Sequence, residues 1–159
     1  MSDPAATAAP CFRSTIRHAG LATLYDLWKA KRGDRLMPAR TDLDVLELWP
    51  WLGNLVLIEF FSSVYDYKIR VDGTNIAEVG GDARTGKGIE SLTNQAERDL
   101  LMQQYGRVLA ERRPFFYETE FLNSAERHLR ESKLLLPLSA DGARVNMVLA
   151  GIYYRVLKR

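Results

Sequence analysis

The run Gly81-Asp82-Ala83-Arg84-Thr85-Gly86-Lys87-Gly88 has the GxxxxGK spacing with which a backbone loop can cradle phosphates. Such a loop needs Ser or Thr after its lysine to reach magnesium, and it follows a buried parallel strand. Here Gly88 takes that position and a short helix precedes the run, so the plain reading is a flexible loop beside a pocket. Paired carboxylates could do acid–base work if a partner tuned one of them. Glu118 and Glu120 share a strand face that reads as solvated, while Asp42 and Asp44 read as residues that cap a helix. The two histidines, His18 and His128, are far apart, and the single cysteine, Cys11, lies near the start. No Ser/His/Asp or Cys/His set assembles from these, no transition-metal cluster follows, and an intramolecular disulfide is excluded. The expectation is a protein that is not an enzyme, with no catalytic and no metal-binding residue.

The bulk properties fit an ordinary soluble globular domain. Of 159 residues, 47% are apolar and 26% charged, enough to bury a core without staples. Twenty-two basic and twenty acidic residues leave a net charge of +2, which makes no electrostatic case for nucleic acid. Arg112-Arg113 and Lys158-Arg159 are local basic spots that read as solvated ends of elements. Gly80-Gly81-Asp82 shares three letters with the diguanylate cyclase signature, but the residues after it depart from that pattern. Met1 to Pro10 is rich in Ala and Pro and lacks the basic start of a signal peptide. No apolar run approaches the ~18 residues that span a bilayer. A bacterial, cytoplasmic location without membrane insertion is expected.

Three segments are expected: a disordered tail over 1–14, an N-terminal helical cap over 15–53 and a core over 54–159. Leu21, Leu24, Tyr25 and Trp28 recur at i, i+3, i+4, i+7, one face of a helix that Gly33 ends. Thr41 or Asp42 is placed to cap a short helix, and two tryptophans around Pro50 should pack against the domain. Asn54 to Phe61 is nearly all apolar, a strand covered on both faces. Tyr65 to Val71 alternates with period two. Asn75 and Glu78 have the spacing of a cap and its partner and open a short helix. A longer helix starts at Asn94 and closes at Arg112-Arg113-Pro114. Three strands follow, over 115–122, 127–138 and 143–157, the last two joined at Asp141-Gly142. The order predicts an α+β fold, a five-stranded antiparallel sheet with helices inserted after its second strand.

The last strand is apolar on both sides: Val145, Met147, Leu149 and Tyr153 on one, Val148, Ala150, Ile152 and Tyr154 on the other. Such a sheet needs two covers. The inserted helices supply one, and the first helix is expected to supply the other, in its own chain or in a partner's. Burying its four large side chains contributes on the order of 6–12 kcal/mol as an upper bound.

In this order the residues resemble the PAS superfamily, and more narrowly the proteobacterial stand-alone group often catalogued as the fifth PAS family. The likeness runs from residue 21 to residue 154. It rests on Trp28, the Gly33–Pro38 run, Arg40-Thr41-Asp42-Leu43-Asp44, and Tyr67 through Thr74. Thr85-Gly86-Lys87, Leu134 through Gly142 and Val145 through Tyr153 complete it. The chain departs from that group at Asp44-Val45 and at Gly81-Asp82-Ala83-Arg84, the second within the insert that borders the PAS pocket. The resemblance implies a PAS-like sheet and a sensor or signalling module without catalysis. The helix over 94–113 carries no histidine and Cys11 lies outside the insert, so no haem or photoactive flavin ligand is evident and the cofactor is unknown. Pocket candidates are Tyr67, Ile69, Thr74, Tyr105, Met147 and Leu149. Candidates for a dimer or partner interface are Leu21, Leu24, Tyr25, Trp28 and Ile152. The module is expected to act through protein–protein association, as a homodimer or with a signalling partner, with a small ligand as a candidate gate. The alternative is a dedicated binding protein that holds an apolar or amphipathic small molecule between sheet and helices.

Overall fold

Period-two runs become strands wherever one face can be buried, and here five of them pair. A computed structural model describes residues 11–80, 84–123 and 125–157. The strands are β1 (Leu55–Phe60), β2 (Tyr67–Asp72), β3 (Phe115–Leu122), β4 (His128–Leu138) and β5 (Met147–Val156). They form one sheet in the order β2-β1-β5-β4-β3, antiparallel throughout. Between β2 and β3 come α4 (Thr74–Gly80) and α5 (Gln95–Glu111), so the expected α+β class and helical insert are both present. β5 returns to lie beside β1, which makes the first and last strands central and double-covered.

Ahead of the sheet are α1 (Phe12–Thr15), α2 (Ala19–Arg32) and α3 (Val45–Leu48), with 3-10 turns at Arg40–Asp42 and Trp49–Asn54. The His18 ring accepts a hydrogen bond from the Leu21 amide and opens α2, and Gly33, at φ 58°, ends it. Leu21, Leu24, Tyr25 and Trp28 are all buried. The Trp28 indole donates to the Pro137 carbonyl at 2.9 Å, fixing the helix to β4. Gly151 of β5 sets how closely it sits. A Cβ there would lie 2.7 and 2.8 Å from the tips of Leu21 and Leu24.

Several local expectations are corrected. Of the tail expected over 1–14, residues 1–10 lie outside the described residues. Phe12–Thr15 is helical, and Phe12 packs edge-on to Tyr25 at 5.2 Å. Neither Thr41 nor Asp42 caps α3. Asp44 does so, accepting from the Leu46 amide, while Asp42 accepts from the Ala39 amide and pairs with Arg35. Asn75 does not cap α4, because the Gly73 carbonyl takes the Ile76 and Ala77 amides and the helix starts at Thr74, two residues before a cap at Asn75 would start it. Asn75 instead donates its side-chain amide to Asn54. Trp51 packs as expected, donating to the Gly20 carbonyl, but Trp49 is 70% exposed.

The GxxxxGK-like run acts on the sheet edge. Residues 81–83 lie outside the described residues. Beyond them, Gly86 donates to the Ile69 carbonyl and Lys87 accepts from the Ile69 amide, so this loop pairs with the outer edge of β2. Gly88 passes so close that a Cβ would meet the Tyr67 carbonyl at 2.4 Å.

Candidate functional site

Residues paired across antiparallel strands point to the same side, so register decides what each cover meets. Val148, Ala150, Ile152 and Tyr154 align with Val56 and Ile58 of β1 and with Glu131, Lys133 and Leu135 of β4. This side faces α5. Met147, Leu149, Gly151 and Tyr153 align with Leu55, Leu57 and Glu59, and with Ser132, Leu134, Leu136 and Leu138. This side faces α2, as the Gly151 contact with Leu21 and Leu24 fixes.

On the α5 side the floor is aromatic at one end and polar at the other. The Asn94 side chain caps α5 by accepting from the Glu97 amide, which aims Met102, Tyr105 and Val108 at the sheet. Tyr105 meets Phe60 and Tyr67 edge-on, at centroid distances of 5.6 and 5.9 Å. Further along, the Lys133 ammonium lies 3.0 Å from the Glu131 carboxylate and donates to the Gln104 side-chain oxygen at 3.2 Å. The two charged side chains are 6% and 16% exposed, the most buried ion pair among the described residues. Tyr154 joins them from β5, and Phe121 packs edge-on to it. At the rim, the Arg84 amide donates to Asp72, and its guanidinium lies 3.8 Å from Glu97.

Burial pushes the Tyr67 phenol up to about 12. It raises Tyr105 and Tyr154 as well, with the Glu131 carboxylate beside Tyr154 adding to the effect. All three hold their protons at neutral pH, so these phenols serve this side as hydrogen-bonding groups beside the Glu131–Lys133 pair.

The structure separates the residues expected to share a pocket. Tyr67, Ile69 and Tyr105 do lie together on the α5 side. Met147 and Leu149 lie on the opposite side, beneath α2. Thr74 is exposed at the start of α4, beside Gly53. Among the interface candidates, Leu21, Leu24, Tyr25 and Trp28 are buried within their own chain, and Ile152 points to the α5 side, away from them. Which face of β5 meets which cover comes from the pairing alone, because periodicity groups residues of one strand without saying which cover each set meets.

Glu131, Lys133 and Gln104 escaped sequence reasoning. A signal was available: two opposite charges two apart in a strand that runs into Leu134-Leu135-Leu136. Burial of that pair depends on β4 being an inner strand, which only the pairing supplies. Two open clefts lie outside this interior. One, about 580 Å³, runs along α5 past Tyr65, Arg98 and Met102. The other, about 450 Å³, lies between the β1–β2 turn, the end of α5 and the β4–β5 turn.

A five-stranded antiparallel sheet in this order, with helices inserted after the second strand and laid on one face, is the PAS arrangement. The chain belongs to the PAS domain family, whose model matches residues 16–153. That family consists typically of sensory and signalling modules. Among solved structures, a sensory box sensor histidine kinase from Vibrio cholerae is similar at 19% identity and a TM-score of 0.50, covering 71% of this chain and 92% of that one. The PAS domain of BvgS from Bordetella pertussis is similar at 13% identity and a TM-score of 0.50, covering 67% and 79%. Both likenesses concern the fold. A search of curated proteins found no match. Among the described residues, no helix is long and apolar enough to cross a membrane.

Proposed function

We propose that this PAS domain is a non-catalytic signalling module whose output is contact with another protein. The observation that carries this reading is the packing of the α5 side. Phe60, Tyr67 and Tyr105 interlock there, and the Glu131–Lys133–Gln104 cluster meets its own polar needs, so side chains occupy the space a dedicated ligand carrier would keep open. The α2 face is equally committed, since its four large side chains cover this chain's own sheet. Contact therefore falls to the exposed surface outside both covers, and association through the Leu21/Leu24/Tyr25/Trp28 face loses its basis.

Native mass spectrometry of the purified full chain, alone and after incubation with a metabolite library, tests this reading. The expected mass is that of the bare polypeptide or of its protein complexes. A stoichiometric small molecule retained by the folded chain would replace it with the ligand-holding alternative.

A further inference from the structure

The cleft of about 450 Å³ at the end of the sheet combines features that point to one kind of occupant. Phe60, Leu109 and Val145 form an apolar floor, and Phe61, 38% exposed, continues it into solvent. Two arginines stand at its edge, Arg112 from the end of α5 and Arg144 from the β4–β5 turn. Each donates to one backbone carbonyl, Arg112 to Ala143 and Arg144 to Phe61. Among the described residues neither has a carboxylate partner, whereas nearby Arg107 and Arg113 both pair with Glu111. A guanidinium has five N–H donors in a planar fork, so most of the donor capacity of these two side chains remains available.

Arg112 is notable for its backbone as well. It sits at φ 54°, ψ 42°, the left-handed position after a helix that glycine ordinarily fills. The local conformation thus does not call for arginine, while the cleft gives its guanidinium a use.

We propose that this cleft docks an acidic segment of a partner protein, with a carboxylate across Arg112 and Arg144 and an adjacent apolar side chain on the Phe60/Phe61 floor. Carboxylates match the arginine fork bidentately, and arginine beside aromatic rings is the composition of interface anchor points. The cleft is open, with Phe61, Ser62, Ser63, Arg112 and Arg144 all exposed. A small ligand needs enclosure over most of its surface, which an open cleft withholds, whereas a protein segment brings its own cover. This inference rests on the protein-contact reading above and names the surface that would make the contact.

The test titrates the 15N-labelled full chain with a capped five-residue peptide alternating glutamate and phenylalanine. A matched peptide with lysine for glutamate and plain succinate serve as comparison arms. Amide shifts should be confined to residues 60–63, 109–112 and 143–145, and should fade with added salt. Arg112→Gly and Arg144→Gln should each weaken binding at least about tenfold, the loss of one charge-assisted contact. Arg112→Gly suits the left-handed backbone, so its melting temperature should hold or rise. A variant that melts lower yet binds the peptide unchanged would reduce these arginines to braces for the turn and overturn the proposal. So would equal binding of the lysine peptide, shifts elsewhere, or no shift at millimolar peptide. Succinate binding as tightly as the peptide would make this a small-anion site instead. Any of these failures leaves the mass-spectrometric test of the signalling reading intact.

Discussion

Over the face carrying Leu134, Leu136, Leu149 and Gly151, α2 lays Leu21, Leu24 and Trp28 directly onto the strands. Over the opposite face, α5 meets a surface that is half aromatic and half polar, with Tyr67, Tyr105, Tyr154 and the Glu131–Lys133 pair. Both faces are buried, but by different means. Aliphatic packing is non-directional, scales with area and depends on close approach, which the missing side chain at Gly151 provides. A buried ion pair depends on geometry, and its attraction can fail to offset the cost of desolvation. The α2 face therefore carries stability, while the α5 face carries constraints on which groups stand where.

Removing the cover from the first face is the harshest way to break this comparison. A chain lacking residues 1–33 loses the burial of Leu21, Leu24, Tyr25 and Trp28, about 6–12 kcal/mol as an upper bound. Net stability of a domain is about 5–15 kcal/mol, so the truncated chain should aggregate or fail to melt cooperatively. Circular dichroism and light scattering read the outcome. A soluble monomer with the parent melting temperature would show that α2 is an accessory and that the sheet stands without it.

A smaller effect is expected on the second face, with a signature the first cannot produce. Lys133→Met leaves Glu131 largely buried without its cation, which should cost about 3 kcal/mol in urea denaturation. Adding Glu131→Leu should recover most of that loss, because a well-packed apolar pair replaces an ion pair at little net cost. If the single variant is as stable as the parent, the polar end of the α5 face is not a constrained cluster. If the double variant is worse than the single, the ion pair itself is a source of stability and the contrast between the faces collapses.

These two faces also mark where the sequence could be read and where it could not. The helix face Leu21/Leu24/Tyr25/Trp28 and the doubly apolar strands are statements about periodicity, and periodicity survives translation into structure. The insert after β2 and the Asn94 cap of α5 were legible for the same local reasons. Facing was not legible. Alternation within β5 separates Met147 and Leu149 from Ile152 but does not say that α2 takes the side of the first two and α5 the side of the third. The cluster at Glu131, Lys133 and Gln104 joins residues 27 to 29 positions apart across a helix–sheet contact. Charges in a strand look solvated until its neighbours are known, and β4 becomes an inner strand only when β5 pairs with it. The cleft at Arg112 and Arg144 is hidden in the same way, since three separate turns meet there.

The mildest way to sharpen the comparison uses the phenols, because the α5 face should announce its burial as a pH dependence. Burial lifts Tyr67 to about 12 from an ordinary value near 10, and raises Tyr105 and Tyr154 in the same direction. The folded chain therefore holds these protons to higher pH than the unfolded chain does. Where the unfolded state binds fewer protons, stability falls as pH rises. The contribution is fully present below the unfolded value near 10 and is lost as pH climbs through about 12, with no slope from these groups between pH 6 and 8. Urea midpoints measured from pH 8 to 11.5 should hold and then decline, and Tyr67→Phe should flatten part of the decline. Identical slopes for parent and variant would mean that the Tyr67 phenol reaches water in the folded protein. The aromatic end of the α5 face would then be loosely packed, and the space beside Tyr105 would be open to a small molecule after all.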